Sequence, residues 1–160
     1  MCLLCGFRRV IYGGSESQER SYARVLVAAC IRHHPHFQRA RPILEAVAAG
    51  QERGVISAHS LAEAFSALTS VPVVPRIRPS EARDIIAANI QPHFQVVALT
   101  PEMYERAVET CAQRGLGDGT VYDALLIECA RHSQADRIYT FNLGDFRRLA
   151  PDLAGRIAAP

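Results

Sequence analysis

Two stretches in the last third of the chain decide the fold: residues 119–126, GTVYDALL, and residues 136–146, DRIYTFNLGDF. In the first, Asp123 opens an apolar segment with helical spacing; in the second, a short strand ends in a polar cluster with Asn142 and Asp145. Sites in open α/β sheets form in the loops at the carboxyl ends of parallel strands. This order therefore predicts that the three side chains meet at one end of a sheet, as oxygen ligands suited to a hard divalent cation.

Outward from these stretches, helical patterns alternate with short apolar strands. The alternation predicts an α/β fold in which a short, mostly parallel sheet is covered by helices on both faces. The predicted strands span residues 55–57, 94–99, 137–140 and, at one edge, 155–158; the predicted helices span residues 36–49, 60–68, 79–90, 101–115, 120–132 and 143–149.

The first 21 residues differ in character from the rest of the chain. Residues 13–21 are polar and rich in Gly and Ser, which is typical of a loop or a disordered stretch. We expect residues 1–21 to be an atypical segment outside the fold and residues 22–160 to form one domain. Residues 7–12 are an alternative source of a first strand, with a long loop before Val25.

The composition is that of a globular protein with a substantial core, at 49% hydrophobic and 21% charged residues. A net charge of +2 gives no bulk electrostatic argument for nucleic-acid binding. All 18 basic residues are Arg, which codon bias explains, although Arg forks also suit phosphate contacts. No apolar run reaches membrane-spanning length and no signal peptide is recognisable, so we expect a cytoplasmic protein.

The cysteines and histidines give no strong metal signal. Five cysteines in 160 residues do not predict a disulfide scaffold. Cys2 and Cys5 form a CxxC motif, but no second pair of zinc-finger spacing accompanies it. The histidines at positions 33, 34 and 36 fit a polar loop before a helix, and we expect them to be solvated.

Asp123 is the strongest single candidate for chemistry. At helical spacing it shares a face with Thr120 and Ile127, which places it at the inward edge of an apolar stripe. The alternative is that an acidic residue in a first turn only complements the helix dipole. That alternative explains an exposed Asp better than a buried one.

The other candidates have good structural alternatives. Residues 60–63 match a capping box in which Ser60 caps the helix and Glu63 reaches back to its amide. A carboxylate at such a helix start can also face a metal. Asn142 suits a turn or cap, and Asp145 suits the negative charge preferred at the start of a helix.

Taken together, the segments Leu-Ala-Glu at 61–63, Tyr-Asp-Ala-Leu at 122–125 and Thr-Phe-Asn-Leu-Gly-Asp-Phe at 140–146 resemble the PIN-domain family. Within that family the chain is similar to the VapC-type ribonuclease toxins of bacterial toxin–antitoxin pairs. The resemblance covers about residues 25–160, and the order and spacing of the motifs are more specific than any one of them.

The resemblance implies a three-layer α/β/α sandwich around a sheet of about five strands, and Mg²⁺- or Mn²⁺-dependent hydrolysis of RNA. It also implies an antitoxin partner and a homodimer. The implied catalytic residues and metal ligands are Glu63, Asp123 and Asp145, with Asn142 as a further catalytic residue where many members have Asp. Thr120 and Thr140 are the implied polar groups that orient these ligands.

One feature of the family is missing. Its members open with an apolar strand that ends in Asp just before the equivalent of Val25, whereas here residues 22–24 are Tyr-Ala-Arg and no Asp precedes Asp84. One explanation is that residues 1–24 stem from a shifted frame or a wrong start, and the first strand is disrupted. Another is a degenerate, inactive relative that only binds an antitoxin. A third is an ordinary α/β protein whose carboxylates serve as caps.

Overall fold

A five-stranded parallel sheet forms the centre of the protein, in the strand order β3-β2-β1-β4-β5. The computed structural model describes residues 9–12 and 25–160. All four strand pairings are parallel, as the alternation of helices and strands predicts. The strands are β1 Arg9–Tyr12, β2 Arg53–Ser57, β3 Phe94–Val97, β4 Arg137–Tyr139 and β5 Ile157–Ala158.

A first strand, β1, lies at the centre of this sheet. In β1, Ile11 aligns with Val55 of β2 on one side and with Ile138 of β4 on the other. This strand lies within residues 7–12, the alternative source proposed from the sequence. The remainder of residues 1–24 lies outside the described residues, and the domain boundary at residue 22 stays a prediction.

Two hydrophobic clusters cover the two faces of the sheet. Neighbouring residues of a strand point to opposite faces, and Val55 belongs to one cluster while Ile56 belongs to the other. Helices α1 to α4 supply the cluster around Ile56, and α5 to α7 supply the cluster around Val55. The helices are α1 Val25–Cys30, α2 Phe37–Ala48, α3 Ala58–Ser70, α4 Pro79–Asn89, α5 Pro101–Arg114, α6 Thr120–His132 and α7 Leu143–Leu149, followed by a 3-10 helix, Pro151–Arg156.

The bounds of α6 and α7 are those predicted, but the start of α3 is not. Strand β2 ends at Ser57, whose extended backbone leads directly into the helix. The Ser57 hydroxyl accepts a hydrogen bond from the Ser60 amide at 3.1 Å, so Ser57 is the cap. The predicted capping box of Ser60 and Glu63 is therefore wrong, and Glu63 is left to face the interior of the protein, where it is 9% exposed.

The histidine loop is also less exposed than expected. His34 is buried, and its Nδ1 accepts a hydrogen bond from the His36 amide at 3.1 Å. The His36 ring stacks on Phe141 at 4.4 Å between centroids. Of the three histidines, only His33 is exposed as predicted. The loop packs against Phe141, which follows β4, and this contact partly covers His36.

The described cysteines are part of the packing. Burial raises the pKa of Cys30 to about 11 and that of Cys129 to about 12, so both remain thiols at neutral pH. Cys2 and Cys5 lie outside the described residues. Within residues 9–12 and 25–160, no helix has the length and apolarity needed to cross a membrane.

Candidate active site

The candidate site lies at the point where the order of strand addition in the sheet reverses. The chain adds β2 and β3 on one side of β1, and then β4 and β5 on the other. In open α/β sheets, the crevice at such a point, beyond the carboxyl ends of the strands, is where sites form. The turn after β4 carries Asn142 and leads into α7, and the first turn of α6 carries Asp123.

Asn142 joins the two carboxylates predicted to meet here. Its Nδ2 donates to Asp123 Oδ2 at 3.0 Å and to Asp145 Oδ2 at 2.8 Å. Because both oxygens lie so close to one nitrogen, they are at most about 6 Å apart. The structure thus brings together three of the residues singled out from the sequence, while their catalytic roles stay predictions.

Asn142 is held in this orientation from both ends. An amide oxygen facing two carboxylates would be repelled, so the hydrogen-bond network assigns the NH₂ group to that side. The amide oxygen then serves α7, where Asn142 is the N-cap and accepts from the Asp145 amide at 3.5 Å. The Asn142 backbone amide donates to Thr140 Oγ1 at 3.0 Å, and Thr140 is fully buried.

The two carboxylates sit in different surroundings. Asp123 is 0% exposed, in the first turn of α6, where the helix dipole stabilises negative charge. The Asp145 side chain is 22% exposed and contacts Arg148 at 3.3 Å. The pKa of the Cys111 thiol on α5 is raised, mainly by burial and to a smaller extent by the charge of Asp123. A buried and a partly open carboxylate therefore share one amide.

Glu63 approaches the same end of the sheet from α3. His59, one turn earlier, places Nε2 at 3.9 Å from Glu63 Oε1. The His59 ring stacks on Tyr122, the residue before Asp123, at 5.3 Å and 6° between planes. Thr120 is half-buried at the start of α6, shortly before Tyr122 in the chain.

His59 was not among the residues singled out from the sequence, and Tyr122 was given no role. A signal for His59 was present, since residues four apart on a helix share a face and Glu63 lies four positions later. Nothing local in the sequence indicates the partner ring, because the stack depends on how α3 approaches α6.

The donor chemistry of the site suits a hard cation. Carboxylate oxygens of Asp123 and Asp145 converge on the NH₂ group of Asn142, a positively polarised donor in the place that a cation would take. Across the described ranges, no three His, Cys, Asp or Glu side chains form a cluster able to hold a metal. Mg²⁺ sites commonly use one or two carboxylates and complete their shell with water and substrate phosphates. The pair at Asn142 fits that smaller donor set.

Comparison with known proteins gives the family and the fold. Residues 23–151 match the family model described as PIN domain. VapC20 of Mycobacterium tuberculosis, described as a sarcin-ricin loop cleaving toxin, has a similar structure with a TM-score of 0.63 at 18% identity, covering 95% of this chain and 99% of that one. VapBC2 of Rickettsia felis, solved with a DNA fragment from its promoter, has a TM-score of 0.53 at 17% identity, covering 88% and 92%. No curated protein matches the sequence. At these identities the two structures establish a shared fold.

Proposed function

Because the chain belongs to the PIN domain family, we propose that it is a metal-dependent endoribonuclease and the toxin of a toxin–antitoxin pair. The observation that carries the proposal is the convergence of Asp123 and Asp145 on Asn142 at the carboxyl end of β4. Two carboxylates held this close, one of them fully buried, are costly for folding alone and are typical of functional sites.

The structural relatives support the substrate class and the partner. VapC20 is described as a toxin that cleaves the sarcin-ricin loop, and VapBC2 was solved on promoter DNA. By analogy we propose RNA as the substrate, a cognate antitoxin as the protein partner and a homodimer as the assembly. The antitoxin would cover the end of the sheet where Asp123 and Asp145 lie.

The proposed roles follow from the positions of the side chains. Asp123 and Asp145 would hold Mg²⁺ or Mn²⁺, which when bound supplies activation of water and stabilises negative charge on the phosphate. Glu63 is a further proposed ligand on the resemblance of residues 61–63 alone, because no three such side chains cluster among the described residues. Asn142 fixes the spacing of the two aspartates. Thr140 fixes Asn142 through its backbone amide at 3.0 Å, and we propose that Thr120 orients the ligands at the start of α6.

The experiment is cleavage of single-stranded RNA by the purified protein with MgCl₂, MnCl₂ or EDTA. We expect cleavage with a divalent cation, none with EDTA, and a loss of at least ~100-fold in Asp123→Asn, because one ligand charge supplies several kcal/mol to the transition state. Asp118→Asn is the matched control: it makes the same chemical change at an exposed position just before α6. Asp118 has a φ of 53°, and Asn tolerates that conformation well.

Metal-independent cleavage that survives in Asp123→Asn would contradict the proposed mechanism. Loss of cleavage in both variants would show a general effect of charge near α6.

A binding protein without nuclease activity is the second candidate. It is favoured by Asn142, which places an amide where many family members have Asp, and by the absence of Asp before Asp84 in the sequence. This candidate predicts a stable complex with a cognate antitoxin, no RNA cleavage under any metal condition, and the same affinity in Asp123→Asn.

A further inference from the structure

An aromatic pair borders the carboxylates and is not explained by metal binding. The rings of His59 and Tyr122 lie 5.3 Å apart between centroids, with only 6° between their planes. His59 comes from α3 and Tyr122 from the first turn of α6. Two helices that are distant in the sequence thus contribute one flat, stacked surface.

The pair is more open than a packing contact requires. Tyr122 is 45% exposed, and the side chain of His59 is 29% exposed. Rings that only joined α3 to α6 would be expected to bury most of their faces, because aromatic side chains gain their stability from burial. The exposed ring area leaves room for a third flat group.

The position of the aromatic pair indicates what kind of flat group would stack on it. Tyr122 directly precedes the buried Asp123, and His59 Nε2 lies 3.9 Å from Glu63 Oε1. A phosphodiester held at the carboxylates by a divalent cation would therefore place a neighbouring nucleotide beside the rings. Proteins that bind single-stranded RNA splay its bases out and stack them on Tyr, Phe, Trp or His.

We propose that His59 and Tyr122 form a stacking platform for one unpaired base of the RNA strand next to the scissile phosphate. This inference rests on the proposed function and deepens it, since it names residues that position the substrate. Stacking is tolerant of base identity, because every base has a π-face. The platform therefore selects single-stranded or splayed RNA over paired RNA.

The first test measures binding of a short fluorescein-labelled single-stranded RNA in CaCl₂, with a gel to confirm that the RNA stays intact, because a divalent cation is needed to hold a phosphate beside two carboxylates. Removing an aromatic that stacks on a base costs binding roughly 5- to 150-fold, and we expect this loss in Tyr122→Ala. Tyr122→Phe keeps the ring and should bind like the wild type. Tyr104→Ala is the matched control, because Tyr104 is 44% exposed on α5, and it should bind normally.

A second test places a reporter in the platform. The chain has no Trp, so Tyr122→Trp introduces a single tryptophan that can still stack. We expect RNA to quench its fluorescence, and Tyr104→Trp to be unaffected by the same RNA. This test also stands if Tyr122→Ala fails to fold.

The outcomes separate this inference from the proposed function. Normal RNA binding by Tyr122→Ala, or an unquenched Tyr122→Trp that still binds RNA, would overturn the platform and leave the nuclease intact. Absence of RNA binding and cleavage in the wild type would overturn both. If Tyr122→Ala weakened the antitoxin complex and left RNA binding unchanged, the rings would belong to a protein interface, and the platform would again be overturned.

Discussion

Helix α6 carries two buried carboxylates whose surroundings differ. Glu128 is 8% exposed, and its oxygens lie 2.6 Å from Arg106 Nε and 3.8 Å from Arg131 Nε. Asp123 is 0% exposed, and its Oδ2 accepts a hydrogen bond at 3.0 Å from the neutral amide of Asn142. Glu128 therefore contacts two guanidinium groups, whereas Asp123 shares one amide with a second carboxylate.

The difference separates a structural group from a candidate functional one. A buried carboxylate with well-placed cationic partners is compensated within the fold, and removing it should affect stability. Two carboxylates at most about 6 Å apart repel each other. Such an arrangement is expected where a cation binds between the carboxylates, so removing Asp123 should affect activity more than stability.

The largest effect on stability is expected for Asn142→Asp, which tests whether Asp123 and Asp145 belong to a cation site. The change replaces two hydrogen bonds with repulsion between three carboxylates, and we expect the free energy of unfolding in EDTA to fall by roughly 2–4 kcal/mol. A divalent cation should restore the lost stability, because three carboxylates bind it better than two. Thermal unfolding with EDTA and with MnCl₂ measures both effects.

Asn89→Asp provides the control for this change. Asn89 is also half-buried, and its Nδ2 donates to the Ile85 carbonyl at 2.9 Å, away from the aspartates in the sequence. It should lose some stability without gaining any response to Mn²⁺. If Asn142→Asp behaved in the same way, the carboxylates at α6 and α7 would not form a cation site.

A smaller effect is expected for Glu128→Gln, the counterpart of Asp123→Asn on the same helix. The variant leaves the guanidinium of Arg106 beside an amide, and we expect a loss of about 1–2 kcal/mol, limited because Arg106 is 56% exposed. RNA cleavage should be unchanged. In Asp123→Asn the pattern should reverse, with cleavage lost and the free energy of unfolding equal or higher, since repulsion with Asp145 is removed.

Glu109→Gln controls for charge on the surface of α5, where Glu109 accepts from Gln113 at 2.7 Å. Glu109→Gln should change neither RNA cleavage nor the free energy of unfolding. A Glu128→Gln protein that lost cleavage, or an Asp123→Asn protein that unfolded more readily than Glu128→Gln, would remove the distinction between the two carboxylates.

Local pattern was sufficient for the residues of the site that lie on α6 and α7. The period of 3.6 residues placed Asp123 on the buried side of its helix, and the structure confirms that burial. The rule that polar residues after parallel strands share one edge placed Asn142 near it. Their hydrogen bond at 3.0 Å joins residues 19 positions apart in the chain.

Features that depend on where one element ends against another were not predictable in this way. The cap of α3 is Ser57 because β2 continues to that residue, and strand length is set by pairing with β3, where Ser57 aligns with Val97. The burial of His34 depends on packing of its loop against the end of β4. The stack of His59 on Tyr122 depends on how α3 approaches α6. The spacing of apolar residues within one helix carries no information about that approach.

The smallest effect is expected at the outer end of the arginine network. Arg131 donates to Asp152 through two nitrogens, at 2.7 and 2.9 Å, and this hydrogen bonding holds the pKa of Asp152 below its ordinary value. A carboxylate whose folded pKa is lowered stabilises the protein above its unfolded pKa, and that stability is lost as the pH falls through the folded pKa. Because the Asp152 side chain is 53% exposed, solvent screens the pair, and Asp152→Asn should cost no more than about 0.5 kcal/mol at pH 7.

That cost should begin to shrink as the pH falls below about 4, the unfolded pKa of Asp, and should vanish below the lower folded pKa. It should also shrink in 1 M NaCl, because salt screens exposed charges. Urea unfolding of the wild type and Asp152→Asn at pH 7 and at pH 3 measures the difference. A cost as large at pH 3 as at pH 7 would mean that Asp152 acts through packing of the 3-10 helix. Glu128 would then be compensated by Arg106 and Arg131 alone, and the contrast with Asp123 would rest on those two contacts rather than on an extended network.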